Sequence, residues 1–174
     1  MAIRKILKLG NPELLTVSEI VKSNELEYAK AVGIDLKDTM VEFQQTHGWG
    51  RAIAAPQIGI KKRVLYSQAT EEKLLINPEL VKKSKENIEL WDDCMSFPEL
   101  LVKVKRYKTC TLKFINEKGN EIISEMSGSL SELMQHEIDH LDGILATMRA
   151  INGKSFCLRS EKYLLDGISN LDQD

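Results

Sequence analysis

Apolar residues recur at helical spacing in two stretches of this chain and at strand spacing across most of what lies between. From Glu25 to about Gln45, Leu26, Ala29, Gly33, Leu36, Met40 and Phe43 fall on one stripe. That stripe predicts a long helix lying on the core, with Ser23 or Asn24 available as its cap. Two glycines in Thr46-His47-Gly48-Trp49-Gly50 then break the pattern. From there to Gly128 the period is closer to two, and strands are predicted at Arg63 to Ser67, Leu74 to Ile76, Ile88 to Trp91, Leu101 to Val104, Thr109 to Ile115 and Glu121 to Met126. Asn116-Glu117-Lys118-Gly119-Asn120 reads as a hairpin turn. Leu130, Leu133, Met134, Ile138 and Leu141 return to three- and four-residue steps and predict a second helix. Ser129-Leu130-Ser131-Glu132 has the spacing of a capping box at its start, and Gly143 suits a left-handed residue at its end.

Before the first helix, Gly10-Asn11-Pro12 predicts a turn after an N-terminal arm, followed by a helical turn. After the second helix, the residues from Asn152 predict a short helix and a frayed acidic end, Asp172-Gln173-Asp174. The expected fold class is α+β: mostly antiparallel β-sheets surrounding a central helix, with a long N-terminal helix. No repeat or linker marks a boundary, so residues 1–174 are expected to form a single domain.

Composition narrows the function classes. With 24 basic against 26 acidic side chains, no net field points to nucleic acid or to an acidic membrane. The apolar runs fall far short of a bilayer span, and a cytoplasmic location is the expectation. Three cysteines, Cys94, Cys110 and Cys157, do not make a disulfide framework. A reduced compartment fits, in which a thiolate can serve as a metal ligand. The basic run Lys82, Lys83 and Lys85 reads as a solvated turn, and Trp49 and Trp91 as pocket wall or core.

The chemistry concentrates in the second helix. Residues four apart lie on one face of a helix, so His136 and His140 can grip a single cation, and Glu137 sits beside that cation, where a base for an activated water belongs. A catalytic site needs a third protein ligand. Cys94, in Trp91-Asp92-Asp93-Cys94-Met95-Ser96-Phe97-Pro98, is the best candidate, with Asp139 and Asp142 as competitors. Cys110 and Cys157 read as small buried hydrophobes, and His47 as a surface or capping side chain.

Three stretches together resemble one family, the peptide deformylases. Gly50-Arg51-Ala52-Ile53-Ala54-Ala55-Pro56-Gln57 is similar to its first signature, G-x-G-x-A-A-x-Q; Asp92-Asp93-Cys94-Met95-Ser96 to its second, E-G-C-x-S; and Gln135 to His140 carries its third, Q-H-E-x-D-H, intact. Ile6 to Pro12 and Leu75-Ile76-Asn77-Pro78 add weaker echoes. The resemblance implies that Cys94, His136 and His140 hold a divalent metal, natively Fe²⁺, with Zn²⁺, Ni²⁺ or Co²⁺ as substitutes. It implies that Glu137 takes a proton from the attacking water, and that Gln57 and the Met95 N–H receive the oxyanion. The implied substrate is the N-formyl group of a new polypeptide's methionine, released as formate, and the implied partner is a formylated peptide; contact with the ribosome, where such chains emerge, is the alternative reading of the basic run Lys82, Lys83 and Lys85. A thiolate and two neutral imidazoles leave a divalent site one positive charge, which favours an anionic nucleophile near neutral pH.

Several positions depart from the pattern. Ala52 and Asp93 stand where the family has glycine, Arg51 where it has an apolar residue, and Leu101 where an arginine helps hold the substrate. Gly50, Arg51, Ala52 and Asp93 are the expected substrate-binding positions. Arg51 suits an acidic group, and Asp93 adds negative charge beside the metal. Asp92 shortens the family's glutamate and is expected to pair with Arg106. Two other readings follow from these departures: a metal amidase for a different formyl or acyl substrate, and a homologue that keeps the metal without turnover. Retention of Glu137 and Gln57 argues against the second, since a structural metal site needs neither.

Overall fold

Leu74, Leu75 and Ile76 are all buried, although they are consecutive on one strand. The reason is a sheet covered on both faces, which calls for an unbroken apolar run instead of alternation. The computed structural model describes residues 2–168. Its larger sheet is antiparallel, in the order β1-β2-β3-β6-β7: β1 (Ala52–Ala54), β2 (Val64–Ser67), β3 (Leu74–Lys83), β6 (Thr109–Ile115) and β7 (Glu121–Ser127). A smaller antiparallel sheet has the order β4-β5-β8, from β4 (Asn87–Asp93), β5 (Leu100–Tyr107) and β8 (Phe156–Leu158).

Helix α1 (Leu26–His47) packs Ala29, Val32, Leu36, Met40 and Phe43 against Ile53, Val64, Leu74 and Ile76, on one face of the larger sheet. Helix α2 (Gly128–Leu141) packs Met134, Ile138 and Leu141 against Leu65, Leu75, Leu112 and Phe114, from the other face. A third cluster, including Phe97, Val102, Val104 and Leu145, closes the smaller sheet. Every residue of α2 from Ser131 to Leu141 is buried. Such a helix lies at the centre of the molecule, as the fold class predicts, and its polar side chains require partners inside the protein.

Both helix starts differ from expectation. Neither Ser23 nor Asn24 caps α1; the Glu25 carboxylate accepts the Lys22 N–H at 2.8 Å and the Lys62 ammonium at 2.9 Å. The Ser129–Glu132 spacing is no capping box, because α2 begins earlier, at Gly128, with Ser127 as an N-cap that makes no side-chain bond. Glu132 pairs instead with Arg51 at 3.1 Å, and Ser131 donates to the Tyr107 carbonyl at 2.9 Å. Gly143 has φ of 71°, and a side chain there would meet the Leu15 carbonyl oxygen at 2.7 Å. The N-terminal arm bonds both halves of the chain, from Leu7 N–H to the Gln57 carbonyl at 2.8 Å and from Leu9 N–H to the Ser96 carbonyl at 2.9 Å. The short helix after Asn152 is α3 (Lys162–Ile168). Strands β1 and β8, three residues each, are not expected from the pattern, and Asp172-Gln173-Asp174 lies outside the described residues. Cys157, on edge strand β8, is only half-buried, unlike the fully buried Cys110.

Candidate active site

Three elements from different parts of the fold meet at one point. Cys94 follows β4 in a turn, Gln57 lies on the 3₁₀ turn Ala55–Ile58 after β1, and His136 and His140 stand one turn apart on α2. Cys94 Sγ is 3.2 Å from His140 Nε2, which is 3.1 Å from His136 Nε2. Two nitrogens about 2.05 Å from a tetrahedral centre stand roughly 3.3 Å apart, and a sulfur at about 2.3 Å stands roughly 3.5 Å from a nitrogen, so a small opening of these separations would admit a first-row transition metal. The donor chemistry fits as well. Asp92 accepts from His136 Nδ1 at 2.9 Å, which turns Nε2 inward. Burial, with the neighbouring His136, holds His140 well below the usual imidazole range, whereas at His136 burial is outweighed by Asp92 and Cys94, which hold it well above that range, so a metal ion would displace the proton that His136 carries without one. Cys94, His136 and His140 are thus able to hold a metal ion. Asp139 and Asp142 are committed elsewhere: Asp139 pairs with Arg106 and Arg149, and Asp142 with Arg63.

The supports of this cluster are themselves buried. Arg106 joins Asp92, at 2.8 Å, to Asp139, as its place on β5 leads one to expect for Asp92. Burial works against the charge on Asp92, but His136 and Arg106 outweigh it and hold the carboxyl at about 2. Gln57 accepts the Ala54 N–H at 2.9 Å, which aims its amide nitrogen at Ser96 Oγ, 3.2 Å away, and Cys94 Sγ, 3.6 Å away. Burial pushes the Glu137 carboxyl up to about 7, and its Oε2 has no hydrogen-bond partner among the described residues. The Met95 N–H likewise makes no bond to another described residue.

A cavity of about 430 Å³ opens on this cluster and is lined by Gly50, Arg51, Ala52, Gln57, Asp93, Cys94, Met95, His136 and Glu137 among others. It therefore gathers every residue expected at the site except His140, whose Nε2 is 3.1 Å from that of His136. The profile of the family described as Polypeptide deformylase matches residues 3–155. The chain belongs to that family. The chain is 39% identical to peptide deformylase of Natranaerobius thermophilus over 152 residues, covering 86% of this chain and 94% of that protein. It is 35% identical to peptide deformylase 1 of Prochlorococcus marinus over 173 residues, covering 92% and 88%. Among solved structures, the deformylase of Thermotoga maritima superposes with a TM-score of 0.79 at 29% identity, covering 87% of this chain and all of that one. The Met-Ala-Ser-bound deformylase of Acinetobacter baumannii gives 0.76 at 27%, covering 85% and 98%.

Within this deformylase fold, the departures from the family signatures acquire partners that sequence spacing does not show. Arg51 is no free cation: its Nη2 lies 3.1 Å from Glu132, a buried carboxylate on α2 that lines the same cavity and was not among the expected site residues. Asp93 is paired at 2.9 Å with Arg159, whose guanidinium also lies 4.1 Å over the Trp49 ring and donates to the Pro98 carbonyl at 2.7 Å. Arg159 follows β8, beyond the segment that matches the family. Leu101 is buried on β5. His47 is exposed, stacked on Phe43 and bonded to its carbonyl, as a helix-end side chain.

Proposed function

We propose that this chain is a metal-dependent deformylase that hydrolyses the N-formyl group from the terminal methionine of new polypeptides, giving formate and a free α-amine. The observation that carries the reading is the unpartnered, buried Glu137 carboxylate in a cavity shared with Cys94, His136 and Gln57. Cys94, His136 and His140 hold the metal. One thiolate and two imidazoles suit iron, zinc, nickel or cobalt over magnesium or calcium, and Fe²⁺ is the native ion in this reading. When bound, the ion lowers the pKa of water and polarises the formyl oxygen.

The chain's own groups do the rest. Glu137 accepts the proton of the attacking water and returns it to the leaving amine, a shuttle suited to a carboxyl poised near neutrality. The Gln57 amide and the Met95 N–H donate to the oxygen that becomes negative as the formyl carbon turns tetrahedral. Asp92 fixes the His136 ring, and Arg106 fixes Asp92. Gly50, Arg51, Ala52 and Asp93 line the approach of the peptide.

In this reading residues 1–174 act as one deformylase domain in the cytoplasm, with the ribosome as the place where substrate is met. All three cysteines are free thiols, in keeping with a reducing compartment, and no helix among the described residues is long and apolar enough to cross a membrane. The test is formate release from formyl-Met-Ala-Ser by protein purified without oxygen and analysed for metal. Turnover that follows bound iron is expected. A fully metallated sample that releases no formate defeats the reading.

A further inference from the structure

The wall of the cavity next to the reacting centre is an ion pair. Glu132 precedes His136 by one helical turn, and one of its carboxylate oxygens lies within 4.8 Å of a His136 ring nitrogen. Arg51 closes over it at 3.1 Å from the mouth of β1. In a formyl amide the first Cα is two bonds from the formyl carbon, so its side chain begins within roughly 4 Å of the reaction. The first side chain of the substrate is therefore the part that meets this wall. The two partners do not face it equally: the Glu132 side chain is 8% exposed and the Arg51 side chain 47%. The guanidinium is therefore the part of the pair open to the cavity, held in place by a carboxylate behind it.

Resting on the deformylase reading, we propose that Arg51 and Glu132 form a specificity-determining pair that favours formyl peptides whose first side chain ends in a neutral hydrogen-bond acceptor. A carboxamide or the sulfoxide of an oxidised methionine are such groups. Two physical arguments select this class. Arg51 makes one close side-chain bond, to Glu132, and only a long contact of 3.5 Å to the Ser129 carbonyl, so donors remain for an acceptor from outside. A bare hydrocarbon pressed on the half-exposed guanidinium takes water from it and returns no comparable bond, whereas the methionine thioether returns a weak one. A carboxylate would satisfy the donors but lies in a cavity that already holds Glu132 and Glu137, with Asp92 just behind. Like charges there offset the gain. The sulfoxide keeps the length of the methionine side chain and replaces a weak acceptor with a strong one.

The test compares kcat/KM for formyl-X-Ala-Ser peptides with X as norleucine, methionine, methionine sulfoxide, glutamine and glutamate. The proteins are the metal-loaded wild type and the Arg51→Ile/Glu132→Leu double variant. In the wild type, glutamine and the sulfoxide are expected to exceed norleucine by roughly tenfold or more, the range of one hydrogen bond to a charged donor. The double variant, with an apolar wall, is expected to reverse the order. Each ratio is taken within one preparation, so a lower folded fraction cancels; Arg51→Lys, which keeps the charge and loses the fork, provides a second check with an intermediate ratio. Norleucine ahead in both proteins, or a ratio that the substitutions leave unmoved, overturns the inference while leaving the deformylase reading intact. Glutamate ahead of glutamine overturns the neutral-acceptor assignment. Formate from none of the peptides defeats the deformylase reading itself.

Discussion

Removing Arg106 is the most direct way to learn whether the buried charge chain behind the site holds the fold together. Its side chain is 3% exposed and reaches Asp92, 2% exposed, at 2.8 Å and Asp139 beyond. In Arg106→Leu, Asp139 keeps Arg149 as a partner at 2.8 Å, but Asp92 is left with His136 alone. A buried carboxylate that loses its one permanently charged partner costs about 3–5 kcal/mol. For a chain of this size that is a fall of roughly 6–20 °C in midpoint temperature. The loss should be smaller in the Arg106→Leu/Asp92→Asn double variant, because the stranded charge goes with its partner. The Arg4–Asp35 pair is an internal reference: the Arg4 side chain is 51% exposed, and Arg4→Ala should cost no more than about 1 kcal/mol. Urea titration of the metal-loaded proteins gives all three losses against wild type. Asp92 also orients His136, so Arg106→Leu should weaken metal binding by about 10- to 100-fold in a chelator competition. A cost for Arg106→Leu as small as that for Arg4→Ala would refute the argument, since it would mean that Asp92 is not left charged in a dry interior.

Three other substitutions probe separate links. Glu137→Gln should retain metal and lower kcat by about 10²–10⁴-fold, measured as formate release against metal content. Gly143→Ala should lower the midpoint temperature, because φ of 71° and a carbonyl oxygen 2.7 Å from the new Cβ leave no room for relaxation; a cost of about 1–3 kcal/mol is expected. Burial raises the Asp35 carboxyl, but hydrogen bonds from Arg4 and the Ala2 N–H outweigh it and hold the group below the usual carboxylate range. Its contribution is therefore present above the unfolded carboxylate pKa and lost as pH falls through the lower folded value. The stability gap between wild type and Asp35→Asn should shrink between about pH 6 and pH 2.5.

What could be read from the sequence was local or repeated. The apolar stripe of α1 and the stacked histidines of α2 need only the 3.6-residue period, whereas the acids and proline of its turn make Cys94 a candidate beside Asp139 and Asp142, and only the family resemblance favours it over them. The pairs that redefine the pocket are of another kind. Arg51 and Glu132 are 81 residues apart, and Asp93 and Arg159 are 66 apart; no periodicity connects them, and only the docking of α2 and β8 brings them together. The S-x-x-E spacing at Ser129 makes no local cap because α2 already starts at Gly128 and Glu132 turns to a tertiary partner, Arg51. Strands β1 and β8 are not legible in the sequence, because three residues carry too little alternation to stand out from a turn.

Cys94 leaves the smaller sheet, whereas the two imidazoles ride on a helix pressed against the larger one, and the segment between Cys94 and His140 spans 46 residues. Bringing the ends of such a loop together costs about 3 kcal/mol in chain entropy, which the contacts between the two halves must offset. An ion gripped by both halves would act as a clasp across that seam. Stripping it should let the two layers drift apart before either one melts, so the same atoms that serve chemistry would also govern how tightly the molecule stays shut.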